Sequence, residues 1–462
     1  MFQFRMTTGD CTLLSLTALL VLCGCHGVKQ HQLSALAAYD AGNFSASVSA
    51  LEAAAEERGA EKELIAVDHA IAQLMAGNAR HGETELRQTR SKIDYLKQKD
   101  LREQTQSVFT DDQAVSWTPR DFERRMMDSL LVLASLQHGR EDAHAYALQA
   151  MESVNQDLDK LNAANEGRDE ASGESPQLAV PHRLSVNALA AYLNAAVNSE
   201  QVMNSDLTDR SMRAVSFWHT GDRERDLLTA DFGTQTKKKH GTVHVITLHG
   251  RVTDWRAETA APTTAALLVA GEILSSNGDH TIPPNVAPVQ IARPVDESCG
   301  VQLQTRISWS SGAQQIKKTG RQLVDLNAAA FDSYMQSRDD QIARAVARRI
   351  VKKASVYVAK DSLGIGGHTG LDFVVNLGGM AWEAMEKPDT RHVSLLPSSV
   401  EAVQLELPVG AQQVLLESVR DDGSLAGDPI TLEVDVEDGR NSYVVCVSPP
   451  RDPGRYVVLP SQ

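Results

Sequence analysis

An α+β fold is predicted, with helical hairpins first and strands later, and three observations predict it. Apolar residues recur at helical spacing from Gln32 to about Trp218, broken by Gly-Asn and Gly-Arg pairs. Beyond about Gly233 the pattern changes to short β-branched runs bounded by Pro, Gly and Asp. Aromatic residues make up only 5% of 462 residues, against 42% hydrophobic residues with abundant alanine, which favours packed helices over an aromatic-rich β protein. The length allows two or three domains. The reading is a helical region over 25–232, a mixed α/β region over 233–396 and a small antiparallel β module over 397–462.

Leu33, Leu36 and Ala37 share one helix face, Gly42-Asn43 breaks it, and Phe44, Val48 and Leu51 resume the spacing. Such a pair is an αα-hairpin. Ile65, Ile71, Leu74 and Met75 lead in the same way to Gly77-Asn78, followed by Leu86, Ile93 and Leu96. Met127, Leu130, Leu131, Leu133 and Ala134 lead to Gly139-Arg140, followed by Ala143, Ala147 and Met151, and Leu184, Leu189, Tyr192 and Leu193 begin another pair. The units resemble tetratricopeptide-type hairpins, which stack because one hairpin cannot bury its apolar face alone. A stack offers a concave surface for a partner peptide or protein; a plain helical bundle would offer none. Residues 162–181 are polar, acidic and rich in small side chains, and read as a flexible loop, either spacer or regulatory.

In the second half, Gly241–Val252 reads as a long strand, Thr263–Ser275 as a helix, and Val286–Arg293 and Val301–Trp309 as strands. Phe331–Lys360 is an amphipathic helix with Ile342, Val346, Ile350 and Ala354 in one row. Ala402–Leu407, Gln413–Val419, Ile430–Val436 and Ser442–Val447 read as four strands of the β module, with turns at Pro408-Val409-Gly410, Asp422-Gly423 and Asp438-Gly439.

The N-terminus carries Arg5 and an apolar run from Cys11 to Leu22, long enough for a signal-peptide core and too short to cross a bilayer. The run ends Leu22-Cys23-Gly24-Cys25, which resembles the lipobox of bacterial lipoproteins. The resemblance implies a signal peptide over 1–24, cleavage after Gly24, a diacylglycerol on the Cys25 thiol and anchoring in the lipid bilayer. With His26 following and no Asp retention signal, it implies the outer membrane, facing the periplasm. The other reading is an ordinary cleaved signal. Two thiols, Cys299 and Cys446, remain in that oxidising compartment and either pair or stay buried and free.

The formal net charge of −15 repels phosphate backbones and speaks against nucleic-acid binding. G-x-S-x-G, P-loop, H-E-x-x-H and C-x-x-C patterns are absent from the sequence. Lys318-Thr319-Gly320 matches one element of penicillin-recognising serine enzymes, but no S-x-x-K accompanies it. Gly364–Gly370 lacks the lysine of a phosphate loop and reads as a bend. His244 and His249 fall on opposite faces of one strand, so they cannot share a metal. No catalytic set, metal site or cofactor is therefore assigned. Arg344, Arg348, Arg349, Lys352 and Lys353 put a basic stripe on the long helix, either a contact for an anionic surface or a face paired with the chain's own carboxylates.

The arrangement resembles a family of uncharacterised bacterial envelope lipoproteins with a helical N-terminal and a β-rich C-terminal region. The residues carrying this are Phe122-Glu123-Arg124, the Arg348-Arg349 and Lys352-Lys353 pairs, and Asp389-Thr390-Arg391 running to Leu396-Pro397. Against the family pattern D-T-R-x-W-x-x-L-P, Val393 stands in place of Trp. Asp389 and Arg391 are either a surface recognition pair or the cap of a turn. The resemblance implies no enzymatic activity and, by association with companions of penicillin-binding-protein activators, a peptidoglycan-side assembly role. The expected function is a non-catalytic scaffold that binds another envelope protein. The alternatives are an envelope hydrolase acting on glycan or peptide, and a periplasmic small-ligand binder.

Overall fold

The computed structural model describes residues 28–57, 61–107, 116–172, 180–219, 237–276, 286–295, 303–312, 314–362 and 387–460. Among them, eight α-helices precede the first strand. They are α1 (28–40), α2 (Phe44–Glu56), α3 (Lys62–Met75), α4 (Ala79–Ser107), α5 (Asp121–Gln137), α6 (Ala143–Ser172), α7 (Asn187–Ser199) and α8 (Ser205–Trp218). They pack as consecutive pairs, and every turn anticipated from a Gly pair is present. Gly42 and Gly77 have φ of 73° and 86°, and a Cβ on either would lie 3.0 Å from Pro449 or 2.9 Å from Pro460. These turns are glycine because the chain reverses there against the C-terminal segment. Asn43 then caps α2, its side chain accepting the Ala46 N–H at 3.2 Å.

Alternate helices differ in burial. Along α5 from Phe122 to Gln137, every residue except Arg124 and Arg125 is buried. α7 is buried from Asn187 to Ala196. A helix buried all round needs a layer on each side. Here α4, α6 and α8 supply one layer, and the chain's own β-sheet supplies the other.

The strands are β1 (His240–His249), β2 (Trp255–Ala260), β3 (Val289–Pro294), β4 (Gln304–Ser311), β5 (Gln314–Thr319), β6 (Arg321–Asp325), β7 (Ser399–Pro408), β8 (Gly410–Val419), β9 (Ile430–Val436), β10 (Asn441–Ser448) and β11 (Val457–Val458). A five-stranded sheet runs β11-β10-β1-β7-β6, and a four-stranded sheet runs β5-β4-β8-β9. β1 is central: Val245 pairs in parallel with Val444 of β10 and antiparallel with Val403 of β7. Its side chains alternate. Ile246 and Leu248 join the core shared with the helices, and Val243 and Val245 join the core between the two sheets. Burial on both faces explains why this strand reads as a continuous β-branched run. The result is three layers: helices, five strands, four strands. To one side, β2 and β3 pair and pack with α9 (Thr264–Ser276) and α10 (Leu326–Ser362).

The α+β class and the order of helices before strands hold. Three readings change. The loop expected over 162–181 is helical through Ser172, because α6 continues; one helix-internal Gly167 costs only ~1 kcal/mol once the helix is nucleated. The four strands expected after residue 397 all form, yet they do not make a module of their own. β7 and β10 flank β1, and β8 pairs with β4, so residue 397 is no boundary between separate bodies. The concave face expected to receive a partner is filled by the chain itself: α7 packs on β1 through Tyr192 and His244, and α3 and α5 hold residues 393–395.

Candidate functional site

Residues 389–397, with a turn at 394–395 and a bend at Leu396, lead into β7, and buried helix side chains grip their main chain. Glu123 is the third residue of α5. One of its carboxylate oxygens accepts the Arg120 N–H at 2.7 Å and closes a capping box. The other accepts the Val393 N–H at 3.2 Å. Two residues on, the Leu395 N–H donates to Asp68 of α3 at 3.0 Å, and the Tyr39 hydroxyl of α1 donates to the Leu395 carbonyl at 3.2 Å. Val393 and Leu395 are both buried. The two carboxylates satisfy main-chain N–H groups that burial would otherwise leave without acceptors. Next, Leu396 accepts from the Val252 N–H at 2.8 Å, and buried Pro397, with no N–H to place, leads into β7.

The charged residues around this segment belong to five elements. Arg120 donates to the Arg391 carbonyl at 2.9 Å, while its guanidinium lies 3.6 Å from the centre of the Trp255 ring. Arg391 holds both oxygens of Asp389, at 2.7 and 2.9 Å, and reaches Glu61 at 2.9 Å. Asp389 also accepts the Arg391 N–H at 3.0 Å, a two-residue turn closed by its own side chain. Asp389 and Arg391 are therefore a turn cap and an internal ion pair. Arg251 bonds Asp40 and Asp254 and reaches the Ser394 carbonyl. Every carboxylate here has a cation in contact except Asp68. Fully buried, Asp68 has its pKa pushed up to about 7 by desolvation, which the Leu395 N–H only partly offsets.

The expected family residues Phe122, Glu123, Arg124, Asp389, Thr390, Arg391 and Pro397 thus converge on one seam, although Arg124 faces away and pairs with Asp94 at 2.7 and 2.8 Å. Val393 is fully buried.

The other expected residues do not join them. Arg348 is only 4% exposed, Arg349 donates to the Ala287 and Pro288 carbonyls, and Arg344 pairs with Asp340 at 2.7 Å. Among its described residues the helix presents no continuous basic stripe, because i,i+4 spacing sets a shared face but not exposure. Lys352 and Lys353 lie on α10 with their side chains outside the described residues, as do Cys25, Cys299 and Gly364–Gly370 in full. Cys446 is a free thiol buried between the sheets, and burial pushes its pKa up to about 12.

Lys318-Thr319-Gly320 joins β5 to β6. A Cβ on Gly320 would sit 2.8 Å from Glu401, which pairs with His249 at 3.2 Å and accepts the Thr305 N–H. That glycine makes room for a buried ion pair. His244 lies on the opposite face of β1, stacked on Tyr443 and 2.8 Å from the Tyr192 hydroxyl, and burial lowers its pKa to about 4. Among the described residues, no three metal-ligating side chains converge.

Sequence reasoning passed over Asp68, Arg120, Arg251 and Trp255. Asp68 had a signal: it is a carboxylate within the apolar row of Ile65, Ile71 and Leu74. Comparison of the chain with protein-family models, curated proteins and solved structures finds no match.

Proposed function

We propose that this chain is a non-catalytic scaffold of the bacterial envelope, anchored in the outer membrane by acyl chains on Cys25 and facing the periplasm. The observation that carries the reading is Leu22-Cys23-Gly24-Cys25 directly behind an apolar run. Helix α1 is under way by Val28, three positions after Cys25, so the chain between them can reach no further than about 10 Å, which holds the folded body at the bilayer. Confinement in that layer raises the effective concentration of any partner anchored there. The partner is another envelope protein, in a peptidoglycan-side assembly role. With the inner helix row occupied by residues 393–395, the outer helices are the surface for it. Detergent extraction of native envelopes tests this: the intact chain co-purifies with one stoichiometric protein, and the Cys25→Ala chain leaves the membrane fraction. Recovery of the wild-type chain in the soluble fraction, or alone from detergent, contradicts it.

A further inference from the structure

The four-stranded sheet ends in β5 and β9, which have no further strand beside them among the described residues. Neither carries a proline or a bulge, the devices that commonly blunt an edge. Alternate residues of an antiparallel ladder turn their N–H and C=O groups to opposite sides. The Asp435 carbonyl accepts from the Ser442 hydroxyl at 2.8 Å and so points away from β8; by alternation Thr431 and Glu433 do the same. On β4 the Thr305 carbonyl accepts from Gly320 and faces β5, as Ile307 and Trp309 then do, opposite Lys318 and Ile316. The outward groups of β5 therefore belong to Gln315, Lys317 and Thr319. Lys317 and Glu433 are both exposed. One edge is basic and the other acidic, with Lys317 and Lys318 against Glu433 and Asp435.

We propose that copies of this chain join edge to edge, β9 of one pairing antiparallel with β5 of the next. The strand directions permit it, since β9 runs with β4 and against β5. With Glu433 opposite Lys317 of the next copy, Thr431 falls opposite Thr319 and Val434 opposite Ile316: an ion pair, a threonine pair and an apolar pair. Two-fold pairing in the same frame would set Glu433 against Glu433 or Lys317 against Lys317, like charges directly opposite. A head-to-tail contact leaves a free edge at each end and propagates as an open chain. The hold of Ser442 on Asp435 limits the ladder to Thr431 and Glu433, so each contact is weak. It lies on the layer furthest from the helices and needs no anchor at Cys25.

Oxidative cross-linking of the full chain in detergent tests it with Lys317→Cys and Glu433→Cys proteins. Directly opposed residues of such a pair have Cα atoms about 5.5 Å apart, within disulfide reach. In one chain the two positions are three strand spacings apart, about 14 Å, and cannot bridge. Mixing the two variants is expected to give at least about tenfold more disulfide dimer than either variant alone or wild type, set by the opposed charges. As much dimer from Glu433→Cys alone, or none above wild type from the mixture, overturns the proposal. Should a variant not fold, sedimentation decides. Association of wild type that is lost in Glu433→Lys and regained on mixing it with Lys317→Glu supports the pairing. Association unchanged by Glu433→Lys, or a wild type that stays monomeric up to about 1 mM, overturns it.

Discussion

The two faces of the central sheet are held by different physics. Towards the second sheet, the core is aliphatic: Val243, Val245, Leu405, Leu407 and Leu416 meet across the gap, and His249–Glu401 is an isolated charged pair. Towards the helices, apolar packing is interleaved with directional bonds from Tyr39, Asp68, Arg120 and Glu123 to residues 391–395. The first face depends mainly on volume. The second depends on bond geometry and protonation. A sheet strand can slide while keeping its alternation, but carboxylates fixed on helices recognise individual N–H groups and so set the register in which the chain enters β7.

Substitutions that separate the faces sharpen this contrast. Leu405→Ala, at a fully buried site between the sheets, is expected to cost about 4 kcal/mol in urea unfolding, equally at pH 5 and pH 8. Equal cost is the essential part, since a pH-dependent loss would mean that the two cores are not independent. Glu123→Ala leaves the N–H groups of Arg120 and Val393 without acceptors and is expected to cost about 3 kcal/mol. Glu123→Gln, which keeps an acceptor, should recover most of that; an equally damaging Gln would show that charge, not the acceptor, is what matters.

His244 lies on the helix-facing side and titrates in the opposite sense to Asp68. Its pKa is depressed to about 4, so its neutral form belongs to the folded state, and stability is lost as pH falls from 6.5 towards 4. About 2 kcal/mol should disappear between pH 6.5 and 4.5, and His244→Gln should flatten that slope. The smallest effect is expected for Arg344→Ala. It removes an exposed pair with Asp340 and should change stability by less than ~0.5 kcal/mol at any pH.

What was legible in the sequence tracks how local its physics is. The helix pairs follow from the spacing of residues such as Ile65, Ile71 and Leu74 and from turns at Gly42, Gly77 and Gly139. β1, β8 and β9 announce themselves by β-branched runs. Strand partnership does not, because nothing near Val245 indicates that it pairs with Val403 and Val444, well over a hundred positions away. The same limit hid β2 and β5, whose exposed positions break the alternation, with Arg256, Ala257 and Thr259 outward on one and Gln314, Gln315 and Lys317 on the other. It also turned the C-terminal strands into a separate module. Of the candidate site, Asp389-Thr390-Arg391 and Phe122-Glu123-Arg124 were visible as strings. Their meeting was not, since Glu123 and Val393 touch only after the helices have stacked. The basic residues of α10 failed for a related reason. Periodicity placed Arg344 and Arg348 on one face, and only tertiary packing buried Arg348 while leaving Arg344 in water.

That residues 393–395 occupy the chain's own helix row can be measured directly by amide hydrogen exchange at Val393 and Leu395. If Glu123 and Asp68 hold these N–H groups, both exchange only through global unfolding, as slowly as the central β1 amides. Exchange at Val393 and Leu395 orders of magnitude faster than in β1 would mean that the segment lifts from the helices in the native state, leaving the groove open to a partner.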